Sequence, residues 1–213
     1  MQINLQEVVP DYISRENIGR SQIWGKNISV ETGEHLHIVA PSGSGKTSLM
    51  HFIYGLRNDY TGSVLYGDMD VKKLSPESFS VFRQKQISII FQDLRLFPGQ
   101  CVRENLEIKR LLNPYHEPGK IDEMARRLGI FSKLENLAKT CSYGEQQRIA
   151  IIRGLMQPFD FLLLDEPYSH LDDANRQKAM ELIYEECNVR GAAMIFADLK
   201  LIEFLKGEKI LML

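Results

Sequence analysis

The chain has 213 residues, is 44% hydrophobic and 25% charged, and carries a formal net charge of -2. That length suits one α/β domain with room for an inserted subdomain, and the composition excludes a disordered chain. The charge excludes the basic excess expected of bulk nucleic-acid binding, and no apolar run reaches the about 18–20 residues needed to cross a bilayer.

In chain order, Ile3 to Val9 and Asn27 to Val30 alternate apolar and polar residues, which predicts two half-buried strands. The N-terminus is neither a basic nor an apolar leader, so a cytoplasmic chain is expected. Thr32-Gly33-Glu34 forms a turn, and His35 to Val39 forms a short strand that runs into the glycine-rich segment 40–47. Thr47 to Tyr54 reads as a helix with Leu49, Met50, Phe52 and Ile53 on its apolar face. Gly62 to Asp68 predicts a strand closed by a turn, and Gln86 to Phe91 predicts a buried strand. Residues 93–145 are more helical, with turns at Pro98-Gly99 and Asn113-Pro114. Phe161 to Leu164 is a continuous apolar run, as in a central parallel strand. A helix over 174–189, a buried strand over 193–197 and a terminal strand over 209–213 complete the pattern. Strands alternating with helices predict an α/β fold with a mostly parallel sheet, preceded by an antiparallel β portion. The helical stretch of about 93–145 reads as an inserted subdomain between core segments 1–92 and 146–213.

Two segments carry chemistry. Ala40-Pro41-Ser42-Gly43-Ser44-Gly45-Lys46-Thr47 lies between a strand and a helix, the context of a Walker A phosphate loop. Its glycines let backbone N–H groups turn toward a phosphate, and Ser42, Gly43, Ser44, Gly45, Lys46, Thr47 and Ser48 are the candidate binding residues. Lys46 supplies a point charge for the β- and γ-phosphates of ATP, and the Thr47 hydroxyl suits Mg2+. Ala40 stands where the strict pattern begins with glycine. The competing reading is a glycine turn that binds nothing, and the Lys-Thr pair at a helix start argues against it. Second, Phe161 to Leu164 runs into Asp165-Glu166-Pro167. Ligand sites of such sheets lie at the carboxyl ends of strands. Asp165 is therefore the candidate Mg2+ acid, and Glu166 the candidate group that polarises an attacking water.

With both segments in place the chain resembles an ABC (ATP-binding cassette) ATPase over nearly its whole length. That resemblance implies a P-loop NTPase fold, hydrolysis of ATP to ADP and phosphate, and nucleotide-driven dimerisation. Phe91-Gln92-Asp93 resembles the Q-loop, which implies that Gln92 touches Mg2+ and the attacking water. Cys141-Ser142-Tyr143-Gly144-Glu145-Gln146-Gln147-Arg148 resembles the signature sequence. Ser142 and Gly144 are its matching residues, Tyr143 replaces a glycine, and this end is implied to act on ATP held by the opposite subunit. Ser169-His170-Leu171-Asp172 resembles the D-loop, with His170 where a small residue is usual. Tyr12 stands where the family places an aromatic against adenine, with Trp24 as a rival. The family's switch histidine is absent: Gly191 upstream and Gly207-Glu208-Lys209 downstream place Leu199 at its position, after Asp198. Slow turnover is the expected consequence.

The spacing from Tyr12 to Gly33 and the run from Ile90 to Leu106 resemble the lipoprotein-releasing and macrolide-export type. The resemblance implies an integral membrane transporter subunit as partner, a second cassette (identical or not), and a peripheral position on the cytoplasmic face of the membrane. The alternative is a slowly hydrolysing or inactive regulatory cassette. A cassette working on nucleic acid or ribosomes is not expected, because fused pairs and long coiled-coil insertions are absent. His35 and His37 share one side of a strand, but no third metal ligand accompanies them. Cys101, Cys141 and Cys187 show no CxxC or metal spacing and read as reduced thiols.

Overall fold

The computed structural model describes residues 1–201 and 209–213. Gly207-Glu208, used above to place the switch position, lie outside them.

The chain opens with β1 (Gln2–Pro10), α1 (Arg15–Arg20), β2 (Asn27–Glu31) and β3 (His35–Val39). Next come α2 (Lys46–Ile53), β4 (Tyr60–Tyr66), β5 (Met69–Asp70), α3 (Pro76–Lys85) and β6 (Ile87–Ile90). A helical stretch of α4 (Val102–Leu112) and α5 (Gly119–Arg127) leads into α6 (Tyr143–Leu155). The chain closes with β7 (Phe161–Asp165), α7 (Asp173–Arg190), β8 (Ala193–Asp198) and β9 (Lys209–Met212).

Two sheets form. One is antiparallel in the order β2-β1-β4-β5, and the other is parallel in the order β6-β7-β8-β3-β9. The strands β7 and β8 are apolar up to their terminal Asp165 and Asp198 because both faces of the parallel sheet are covered. Phe161, Leu163 and Ile195 pack with α2 and the antiparallel sheet. Leu162, Leu164, Met194 and Phe196 pack on the other side with α4 to α7. The expected mixture of a parallel core and an N-terminal antiparallel portion is present.

Two helices escape the sequence reading: α1 and α3. The latter has only Phe79 and Phe82 buried, so its apolar face is too short to show a period. The helical stretch after residue 93 is present, but α6 runs unbroken from 143 to 155 and packs on α4 and β6. A boundary between 145 and 146 therefore cuts one helix. Among the described residues no helix is long and apolar enough to cross a membrane.

Candidate active site

The strands β3 and β7 end on the same side of the parallel sheet, separated by β8. That arrangement brings the glycine-rich loop and the two acids together, although more than a hundred residues separate them in sequence. In the loop, Gly43 and Gly45 have φ of 79° and 102°, backbone conformations that a side chain disfavours. A Cβ on Gly45 would also sit 3.0 Å from the Trp24 ring. Gly45 caps α2 without a side-chain acceptor, which leaves the first N–H groups of that helix free to meet an anion.

Lys46 is buried and turned back on its own loop. Its Nζ donates to Ala40 O at 2.8 Å and Pro41 O at 3.1 Å, and lies 3.3 Å from Glu166 Oε1. Glu166 follows the end of β7 with φ of 47°, a strained conformation for a residue with a Cβ. Its N–H donates to Ala197 O at 2.9 Å, and its carbonyl accepts from Gln147 Nε2 at 3.4 Å. Gln92 bridges the two motifs: Nε2 donates to Glu166 Oε2 at 3.5 Å, and Oε1 accepts from Thr47 Oγ1 at 3.3 Å.

Asp165 is 1% exposed, and neither of its carboxylate oxygens has a hydrogen-bond partner of ordinary geometry among the described residues. Burial pushes its carboxyl up to about 6; the neighbouring Thr47 hydroxyl opposes that rise and the Glu166 charge adds to it. Orphaned carboxylate oxygens beside a threonine hydroxyl and an amide oxygen form a hard-donor set that fits Mg2+, which takes few protein ligands and shares the rest with phosphate. Asp198, at the end of β8, is raised by burial as well, with Glu166 adding to the rise. The Leu199 N–H donates to Asp198 Oδ1 at 2.6 Å, and the Leu199 side chain is exposed.

A cavity of about 230 Å³ is lined by Tyr12, Ser42, Gly43, Gly45, Lys46, Thr47, Ser48, Gln92 and Glu166. Asp165 lines an adjoining one with Thr47 and Gln92. Ser44 faces a third, on the Trp24 side of the loop. The structure thus gathers the loop, the acids and Gln92 in one place. It also separates the two candidate aromatics. Tyr12 is 54% exposed at the cavity, whereas Trp24 is buried beneath the loop, its Nε1 donating to Ser44 O at 3.4 Å. The Ser48 hydroxyl lies on the cavity wall but is engaged by Tyr12 and Arg57, a use that local sequence did not indicate.

Ser142 and Gly144 stand apart from that cavity, at the start of α6. Ser142 Oγ accepts from Glu145 N at 3.3 Å, and the Glu145 side chain returns a bond to Ser142 N at 2.7 Å, closing a capping box. Gly144 lies against the D-loop, where a Cβ would be 3.1 Å from His170 O. The two unusual residues of these motifs touch each other: the Tyr143 and His170 rings are 4.2 Å apart between centroids. The Tyr143 hydroxyl donates to Gln92 O at 3.4 Å. His37 is buried against Phe196, and burial pushes it down to about 4, whereas His35 is half-buried against Tyr184.

Comparison with known proteins gives the family and the fold. The chain matches the family described as ABC transporter over residues 25–169. It belongs to the ABC transporter family. Its match is to the ATPase domain of that family. It is 34% identical to the macrolide export ATP-binding/permease protein MacB of Nitrosomonas europaea, over 76% of this chain and 25% of that protein. It therefore spans a quarter of MacB. It is also 34% identical to the phosphonates import ATP-binding protein PhnC of Fusobacterium nucleatum, over 93% of this chain and 85% of that one. The lipoprotein-releasing system ATP-binding protein LolD of Nitratidesulfovibrio vulgaris matches at 33% identity, over 75% of each chain. The relatives include the two types the sequence resembles, and importers at the same level of identity. Among solved structures, the dimeric ATP-binding cassette MJ0796 bound to ADP and Pi superposes with a TM-score of 0.80 over 93% of this chain and 88% of that one. At 23% identity that likeness shows the ABC cassette fold.

Proposed function

We propose that this cassette binds ATP with Mg2+, hydrolyses it slowly, and powers or gates an integral membrane transporter subunit by closing on a second cassette. The observation that carries the reading is Asp165: a buried carboxylate left without partners beside a cavity that also presents uncapped N–H groups and Lys46. The free N–H groups of α2 and the Lys46 ammonium suit the triphosphate. Thr47, Gln92 and Asp165 are the residues that would hold Mg2+, which when bound neutralises charge on the phosphates. Phosphate drawing Lys46 outward frees Glu166 from its ion pair, and the freed carboxylate accepts a proton from the attacking water.

Ser142 and the N–H groups at the start of α6 form a second phosphate-binding end. They lie outside their own chain's cavity, so a facing cassette is needed to bring such an end to the nucleotide. The relatives' names pair ATP-binding subunits with import and export systems, and the matched cassette structure is a dimer. A position on the cytoplasmic face of the membrane, through the partner, follows from that reading.

Lys46→Ala is expected to weaken ATP binding at least about 100-fold, roughly 3 kcal/mol. Unchanged affinity by calorimetry rejects the phosphate-loop assignment. Glu166→Gln is expected to abolish turnover and to accumulate as an ATP-bound dimer in size exclusion; a variant that stays monomeric at saturating ATP refutes the composite site. Leu199 at the switch position and Asp198 beside Glu166 favour a second reading, a regulatory cassette with little turnover. Steady-state phosphate release that disappears in Glu166→Gln decides for the enzyme.

A further inference from the structure

We infer that Arg57 is a positioning residue for the nucleotide base: it fixes the Tyr12 ring as a rigid platform beside the phosphate loop. The inference rests on the reading of that cavity as an ATP site. An exposed tyrosine on a turn is a poor platform by itself, because freezing its rotamer on binding costs entropy. Here the ring is frozen beforehand. The Tyr12 hydroxyl donates to Ser48 Oγ at 2.5 Å, and Arg57 Nη1 donates to the same oxygen at 2.9 Å. The Arg57 guanidinium lies 5.3 Å from the Tyr12 ring centre and 5.6 Å from that of Phe52, a fully buried ring of α2. A cation within reach of both rings links the exposed aromatic to the core. The guanidinium is itself held, by Asp59 through Nε at 2.9 Å and through Nη2. Asp59 O in turn accepts from Asp11 N at 3.1 Å, which ties the Tyr12 turn to the same loop. Arg57 approaches from outside the nucleotide cavity, where it lines a separate cleft with Asn58 and Lys72. The tyrosine is thus braced, yet it stays 54% exposed on the wall of the cavity, where ring surface remains for a base.

The test uses the full chain and compares ATP with inorganic tripolyphosphate, which has the phosphates without the base. Arg57→Ala is expected to raise the dissociation constant for ATP about five- to tenfold and to leave that for tripolyphosphate unchanged, which also certifies an intact phosphate loop. In a double-mutant cycle with Tyr12→Ala, the two losses are expected not to add, since both remove one platform. Unchanged ATP binding in Arg57→Ala overturns the inference, as does an equal loss for both ligands or full additivity with Tyr12→Ala. An Arg57→Ala loss without any Tyr12→Ala loss would place Arg57 on the base itself and also overturn it. Failure of the ATP-site reading looks different: Lys46→Ala would then leave tripolyphosphate binding untouched.

Discussion

Asp165 at the tip of β7 and Glu186 on α7 are both buried acids, and the protein treats them in opposite ways. Glu186 is met by Arg190, by His116 Nε2 at 3.0 Å and by Lys120 Nζ at 3.6 Å. Burial works to raise its pKa, yet the hydrogen bonds from His116 and Arg190 outweigh that and hold it at about 2. Arg190 also donates to Leu155 O at 3.0 Å, so the cluster welds α7 to α6 and to the segment before α5. Asp165 has no such completion: burial, with the Glu166 charge adding to it, carries it up to about 6 against the opposing Thr47 hydroxyl. A buried charge finished by its own chain holds the fold together. One left unfinished costs stability, and such groups cluster at functional sites.

Three measurements can break or sharpen this contrast. The largest expected effect is in Glu186→Ala, which strands Arg190 in the interior; the melting temperature should fall by roughly 10 °C, with ATP affinity kept. A fall in affinity without a fall in melting temperature would make Glu186 functional rather than structural. Asp165→Asn should act with the other sign. The ligand-free variant is expected to melt roughly 5 °C higher than the parent at pH 7, while added Mg2+ and ATP no longer stabilise it. A lower melting temperature without ligand would show that the carboxylate is already completed within the chain.

The smallest effect is the pH dependence of these differences. The Asp165 pKa is raised in the fold, so its favourable contribution exists below the ordinary 3.8 and is lost as pH climbs through about 6. The stability gain of Asp165→Asn should therefore shrink as pH falls from about 6 to the ordinary 3.8, and be absent below it. The Glu186 pKa is depressed, so its contribution is full above the ordinary 4.5 and disappears as pH falls toward about 2. The deficit of Glu186→Ala should close in that acid window. Parallel slopes for the two variants in denaturant titrations would remove the distinction.

Much of the fold was legible residue by residue. The strands β7 and β8 announce themselves as apolar runs because two covered faces leave no polar position before the terminal Asp165 and Asp198. The helix α3 was missed although a local signal exists: Ser75 accepts from Ser78 N at 3.2 Å as an N-cap, with Pro76 in the first turn. Its short apolar face concealed it. Gln92 was placed by its motif, but its bonds to Thr47 and Glu166 join three distant segments. Arg57 and Glu186 carried no motif, and each depends on partners brought in from other elements.

The sequence by itself determined the glycine-rich loop between β3 and α2, the acid-tipped strand and the alternation of strands and helices. Each is written within about ten residues, in glycine positions and apolar periods that act through local backbone geometry. The tertiary structure alone decided that Tyr12 and not Trp24 faces the cavity, that Asp165 is left without a partner, and that Tyr143 and His170 meet. Those outcomes follow from strand order and from the packing of segments far apart in the chain, where burial and the supply of neighbours set what each side chain can do.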